Sequence, residues 1–192
     1  MISQYKNNHK MKFFGYTMLL STFVFFTFSF TNITVEETAA VEWLSWEEAA
    51  KLNAENPKKI FVDVYTDWCG WCKVMDKKTF NDPKVAAYLK EYFYSVKLDA
   101  ESRKAINHMG QSFEFREVEG SKRGGIHMLA YSLLEGKMSY PTVVTLNEKY
   151  ERIAISPGYK EAPMMFNELK FAAEEHYKTT NFKAFMENLK GQ

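Results

Sequence analysis

Two cysteines three residues apart, Cys69 and Cys72, stand where a buried-strand pattern gives way to a helical one. They are the only cysteines among 192 residues. A scaffold held by many disulfides is therefore excluded, and the spacing of this pair carries the information. Ahead of them, Ile60-Phe61-Val62-Asp63-Val64-Tyr65 is an apolar run with one carboxylate inside it, the pattern of a strand covered on both faces. Behind them, Cys69–Lys78 reads as a helix. A cysteine that opens a helix faces unbonded backbone N–H groups and the positive end of the helix dipole. Both favour thiolate over thiol, and can bring the pKa from about 8.5 into a range of roughly 3.5–7.5. The thiolate is the nucleophile. A second cysteine three residues on lies on the same helical face and can close a disulfide.

The surrounding pattern alternates strands with helices. Ser45-Trp46-Glu47-Glu48 is a capping box that opens a helix over Trp46–Asn56, ended by Pro57. Asp82-Pro83 starts another helix, to about Tyr92, with Asp as N-cap and Pro at its first position. Tyr94–Leu98 is a second strand. Two strands joined by a helical crossover predict a parallel pair. Further on, Ser112–Val118 alternates with period two and predicts a strand, with Met109-Gly110-Gln111 as the turn of a hairpin begun near Ile106. Gly120–Gly125 reads as a loop, Ile126–Leu134 as a helix, and Thr142–Leu146 and Arg152–Ile155 as strands. Ala162–Tyr177 and Phe182–Leu189 close the chain as helices.

Net charge is +1, from 25 basic and 24 acidic residues, so no basic excess calls for nucleic acid. No acidic residue precedes Glu36, while Lys6, Lys10 and Lys12 precede an uncharged run from Phe13 to Val35. Residues 1–40 therefore read as a secretory signal peptide or, since the run approaches the ~20 residues that span a bilayer, as an N-terminal membrane anchor. Residues 41–192 form the working domain, placed outside the cytoplasm in a secreted, periplasmic or envelope-anchored form. Disulfides persist there.

The run Val62-Asp63-Val64-Tyr65-Thr66-Asp67-Trp68-Cys69-Gly70-Trp71-Cys72-Lys73 resembles the thioredoxin superfamily: a strand with a buried Asp, then Trp-Cys-Gly-x-Cys-Lys. Ser139-Tyr140-Pro141-Thr142 is similar to the family's cis-proline segment, which faces the disulfide. Val96-Lys97-Leu98-Asp99 resembles the strand whose Lys lies near the buried Asp, and Pro157-Gly158-Tyr159 fits the glycine after the last strand. These matches run in order across residues 43–177. The stretch Lys73–Tyr88, with Lys97–Glu101, looks most like thioredoxin-like domains of bacterial envelope proteins, among them the soluble domain of the transmembrane disulfide reductase.

The resemblance implies an α/β fold with a central mixed sheet flanked by helices. It implies thiol–disulfide exchange with protein partners, with the dithiol itself carrying two electrons and no organic cofactor or metal. In that scheme Cys69 attacks, Cys72 resolves, and Asp63, its pKa raised by burial, accepts the Cys72 proton while Lys97 moderates its charge. Trp68, Gly70 and Trp71 would lie against the substrate beside Pro141. Tyr140 is either a backbone partner for an extended substrate or a spacer. A reductase, recharged by a membrane electron donor, is favoured over an oxidase or isomerase, with a non-catalytic binding module as the alternative from another class.

Two departures bear on this. Trp71 stands where thioredoxin usually has Pro, and the dipeptide between the cysteines tunes a potential that ranges from roughly −270 to −120 mV across such proteins. Between Asp99 and Tyr140 the chain carries about twenty residues more than a minimal thioredoxin, an insert at about residues 106–125. It is read either as a hairpin that flanks the active-site face and selects the partner, or as a simple edge addition. Other uses of the cysteines fit poorly. No second Cys-x-x-Cys exists, His108, His127 and His176 lack zinc-finger spacing, and Lys73 stands where a c-type haem site needs His. His127 is expected at the surface, without a role.

Overall fold

The computed structural model describes residues 40–120 and 123–191. The expected leader or anchor, with its apolar run at 13–35, lies outside the described residues. Among the described residues no helix is long and apolar enough to cross a membrane.

The chain forms β1 (Trp43–Leu44), α1 (Trp46–Glu55), β2 (Lys59–Tyr65), α2 (Gly70–Met75), α3 (Pro83–Tyr92) and β3 (Phe93–Asp99). It continues through β4 (Ile106–His108), β5 (Gln111–Phe113), β6 (Phe115–Glu117), β7 (Gly125–His127) and α4 (Met128–Leu133). It ends with β8 (Thr142–Leu146), β9 (Arg152–Pro157), α5 (Ala162–Ala173) and α6 (Phe182–Lys190). Five strands make one mixed sheet in the order β1-β3-β2-β8-β9. β2 runs parallel to β3 and antiparallel to β8, as the helical crossover between β2 and β3 requires. This is the thioredoxin-like α/β sheet that the sequence implies.

β2 is the central strand, and its apolar run follows from that position. Ile60, Val62 and Val64 point into a core with Trp46, Val96, Leu129 and Leu134. Phe61 points the other way, against Met75, Phe80, Leu89 and Leu169. The helix starts are fixed locally. Ser45 Oγ accepts from Glu48 N–H at 3.2 Å while Ser45 N–H donates to Glu48 at 2.8 Å. Asp82 Oδ1 accepts from the N–H groups of Lys84 and Val85.

Four elements differ from expectation. The helix over Cys69–Lys78 is α-helical only to Met75 and then widens into a π-turn over Asp76–Phe80. The wider turn buries Phe80 and brings the Thr79 hydroxyl to the Lys160 carbonyl at 2.5 Å. The helix over Ala162–Tyr177 stops at Ala173, because Glu175 takes a left-handed conformation (φ 60°) before a short 3-10 turn.

The single strand over Ser112–Val118 is two strands in two hairpins. β4 pairs with β5 around Met109-Gly110, both at positive φ as a tight two-residue turn demands. β6 pairs with β7. The break falls at Glu114, whose carbonyl accepts from Met128 N–H at 2.9 Å. Ile126 and His127 belong to β7, so α4 begins two residues later than the periodicity suggests.

The second hairpin has one steric requirement. A Cβ on Gly125 would sit 2.0 Å from the Arg116 carbonyl oxygen. We expect Gly125→Ala to part β6 from β7 while leaving the five-stranded sheet intact. Amide exchange should rise sharply across residues 115–127 and stay slow in β2 and β8; unchanged protection of the hairpin would contradict the packing described.

Candidate functional site

The sheet register brings the site together. β2 delivers Tyr65 to the loop that carries Thr66 to Cys69, and Val64 pairs with Thr142 across the antiparallel ladder. Pro141, one residue before Thr142, therefore lies at the same end of the sheet as the cysteines. The Tyr140–Pro141 peptide bond is cis. The Pro141 carbonyl accepts from Gly158 N–H at 2.8 Å, which ties this segment to the end of β9.

Cys69 and Cys72 form a disulfide. Cys69 is the N-cap of α2, and its sulfur accepts from Cys72 N–H at 3.1 Å. Both cysteines are largely buried, at 4% and 2% exposure. Aromatic side chains flank them. Trp68 meets the ring of Tyr140 edge-on at 5.9 Å, and Trp71 meets Tyr159 at 5.4 Å. Trp71 is 62% exposed and Trp68 45%. Gly70 has no atom within 4 Å of where a Cβ would stand, so no local contact demands a glycine there. Burial pushes the Tyr140 phenol up to about 12, which keeps it neutral.

On β2, Asp63 is fully buried and Lys97 Nζ reaches its Oδ2 at 2.6 Å. Burial pushes the Asp63 carboxyl up to about 6; Lys97 pulls the other way and Asp76 adds to the rise. Asp63 Oδ1 carries no hydrogen bond from the described residues. Lys97 is boxed by the rings of Trp43, Tyr65 and Phe80, at 4.8, 5.0 and 5.6 Å. Burial there pulls its pKa down, but Asp63 and Asp76 outweigh it and hold the ammonium above the ordinary lysine value.

Sequence reasoning missed Asp76. It is a second carboxylate on Lys97, placed by the last turn of α2, where its backbone N–H donates to the Cys72 carbonyl. Its position four residues after Cys72, on the same helical face, was the available signal. Asp76→Asn should lower the Asp63 midpoint below about 6, by removing a like charge and freeing Lys97 for Asp63 alone. A carboxyl-carbon NMR titration reads this directly, and a midpoint that rises would contradict the arrangement.

Glu101 and Arg123 were missed as well. The Trp68 indole N–H donates to Glu101 at 3.0 Å, and the Arg123 guanidinium lies 3.2 Å over the Trp68 ring. Nothing local in the sequence signals these long-range contacts.

His127 corrects the expectation of a surface residue. It is fully buried. Its Nδ1 accepts from Leu129 N–H at 3.2 Å and its Nε2 lies 3.1 Å from the Lys104 carbonyl, so the ring caps α4 as the neutral Nε2–H tautomer. Its own N–H donates to the Ala100 carbonyl, and Ala100 N–H donates to Tyr65. His127 thus fastens the insert to the strand end that carries the cysteines. Among the described residues no cluster of His, Cys, Asp or Glu is placed to hold a metal ion.

The comparisons agree with this architecture. The structure called "DsbH Oxidoreductase" superposes with a TM-score of 0.51 at 17% identity, over 71% of this chain and 87% of that one. A thioredoxin-fold protein from Helicobacter pylori superposes with a TM-score of 0.52 at 18% identity, over 69% and 84%. At such identities the likeness is one of fold. In sequence, the thiol:disulfide interchange protein DsbD of Vibrio vulnificus (strain CMCP6) is 44% identical over 52 residues, 27% of this chain and 8% of that protein. Spermatogenesis-associated protein 20 of Homo sapiens is 33% identical over 87 residues, 44% of this chain and 10% of that protein. The chain spans about a tenth of the length of these curated relatives. The family model Thioredox_DsbH, described as "Protein of unknown function, DUF255", matches residues 30–190, most of the chain, and it is to this thioredoxin-like family that the protein belongs.

Proposed function

We propose that the protein is a thiol–disulfide oxidoreductase that acts on disulfides of partner proteins outside the cytoplasm, and that it works as a reductase. One observation carries this reading. The Cys69–Cys72 disulfide caps a helix with Cys69 as the acceptor, at the sheet end shared with Pro141, and β2, the strand that leads to it, carries a buried Asp–Lys pair. The similarity to part of DsbD, whose name describes thiol:disulfide interchange, supports it.

In the reduced protein the Cys69 thiolate attacks one sulfur of the partner disulfide. A Cys69–partner bond forms, and the other partner sulfur leaves and takes up a proton. Cys72 then gives its proton to Asp63, whose Oδ1 is free to take it, and attacks Cys69. The partner's second thiolate is released, and the Cys69–Cys72 disulfide is restored. Two electrons pass from the dithiol to the partner. Trp68, Trp71, Tyr140 and Pro141 form the surface that meets the partner, and Lys97 holds Asp63 in place. The cycle resets when a dithiol donor at the membrane reduces Cys69–Cys72.

Equilibration of the full chain with glutathione buffers tests the direction. A reductase should settle nearer the thioredoxin end of the scale, roughly −270 mV, whereas a value near −120 mV would make the protein an oxidant. The N-terminal apolar segment supports export; protease accessibility in intact cells, with and without residues 1–40, tests the compartment.

A further inference from the structure

Between the last two strands and the last two helices lies a cavity of about 120 Å³ that shares no lining residue with the cysteine site. Thr145 of β8 stands opposite Ala154 of β9, and Ser156 follows on the same face of the sheet. Glu168 and Phe171 of α5 and Phe182, the first residue of α6, complete the walls. Ser156, Glu168 and Phe182 are half-buried, so solvent reaches the cavity. Its charge is unbalanced. Glu168 Oε1 accepts from Ser156 Oγ at 2.8 Å, but among the described residues no basic side chain forms an ion pair with this carboxylate. Lys160 acts on it only at longer range, and its Nζ bonds the Pro157 and Gly158 carbonyls at 2.6 and 3.0 Å. Burial holds the Glu168 carboxyl above the ordinary glutamate value in spite of Ser156 and Lys160. The Thr145 side chain is buried as well, and its hydroxyl makes no hydrogen bond among the described residues.

We propose that this cavity binds a primary ammonium group carried on a short alkyl chain, with Glu168 as its counter-ion. An ammonium brings three N–H donors. The cavity offers three oxygens to meet them: Glu168 Oε2, the Ser156 hydroxyl, which still accepts while it donates to Glu168, and the Thr145 hydroxyl. Aromatic rings attract the same charge, and Phe171 and Phe182 line the cavity. An apolar occupant would instead cover the carboxylate without pairing it, at a cost. Size sets the carrier. A cavity of about 120 Å³ is well below the roughly 300 Å³ at which drug-sized sites begin, and suits one unbranched chain. The site is independent of the disulfide chemistry, so either reading can fail alone.

The test is an NMR titration of the oxidised full chain with n-butylammonium chloride, and with n-butanol as a neutral twin of the same length. Saturable shifts are expected at Ala154, Ser156, Glu168 and Phe182, with a dissociation constant in the millimolar range. Butanol should bind about tenfold more weakly or worse, the scale of a hydrogen bond to a charged group. Glu168→Gln keeps an acceptor for Ser156 but removes the charge, and should weaken butylammonium binding by about tenfold. Thr145→Val removes one oxygen at nearly equal volume and should weaken it by about threefold; it keeps the test decisive if the first variant folds poorly. Nα-acetyl-lysine methylamide in the same titration separates the sources of the group. Binding like that of butylammonium assigns the cavity to lysine side chains, and binding of butylammonium alone assigns it to free amines. Shifts that do not saturate, equal binding of butanol, or undiminished binding to the folded Glu168→Gln protein overturns the proposal.

Discussion

Cys69→Ser should abolish turnover of protein disulfides, by a factor of roughly 10³ or more, while the protein still folds. Loss of an attacking nucleophile is among the largest single effects in enzymes. Here no substitute exists, because the chain has no third cysteine. Cys72→Ser should behave differently. Cys69 keeps its place as the cap of α2, and the backbone N–H of residue 72 still points at its sulfur. Attack therefore proceeds, but nothing resolves the product, and a partner accumulates covalently bound through Cys69. Non-reducing gels and peptide mapping distinguish the two variants. The alternative of a binding module with a structural cysteine pair predicts that Cys69→Ser retains function and that Cys72→Ser traps nothing.

Asp63→Asn should have the second largest effect, and it has two signatures. In the cycle, Asn cannot take the Cys72 proton. A positioned general base contributes about 10²–10⁴. Resolution of the mixed disulfide should slow by about that factor, and its pH dependence with a midpoint near 6 should vanish. In stability the sign is opposite to that of an ordinary surface carboxylate. Folded Asp63 holds its proton up to about pH 6, against an ordinary value of 3.8. The proton thus stabilises the fold fully below about pH 4, and that contribution is lost as pH rises through 6. The difference corresponds to about 3 kcal/mol. Chemical denaturation of the oxidised protein at pH 4 and pH 8 should show this loss, and Asp63→Asn should remove most of it. Equal pH dependence in the two proteins would mean that Asp63 is not held as described.

Much of this was legible before the structure, for identifiable reasons. β2 announced itself because a strand buried on both faces must be apolar throughout, and a lone Asp inside it stands out. Ser45, Glu48, Asp82 and Pro83 marked helix starts because capping is local chemistry. The Cys69–Pro141 neighbourhood followed from a family resemblance in segments far apart in sequence. What was missed depended on partners distant in the chain. Period-two alternation could not reveal that Ser112–Val118 serves two different hairpins, since the break at Glu114 is set by Met128. His127 was misplaced because a histidine at a helix start is usually solvated, and only the fold supplies the Lys104 carbonyl that satisfies its other nitrogen. The π-turn over Asp76–Phe80 leaves no local trace, because its residues remain compatible with an ordinary helix.

Exchange chemistry at this site requires that Cys69 be ionised and reactive once the disulfide is opened. Reduced protein, alkylated with iodoacetamide across pH 5–10 and mapped by mass spectrometry, answers this. The structure predicts that Cys69 is labelled faster than Cys72, with an apparent midpoint below the ~8.5 of a free thiol. Equal labelling of the two, or a Cys69 midpoint at or above that of a free thiol, would contradict it.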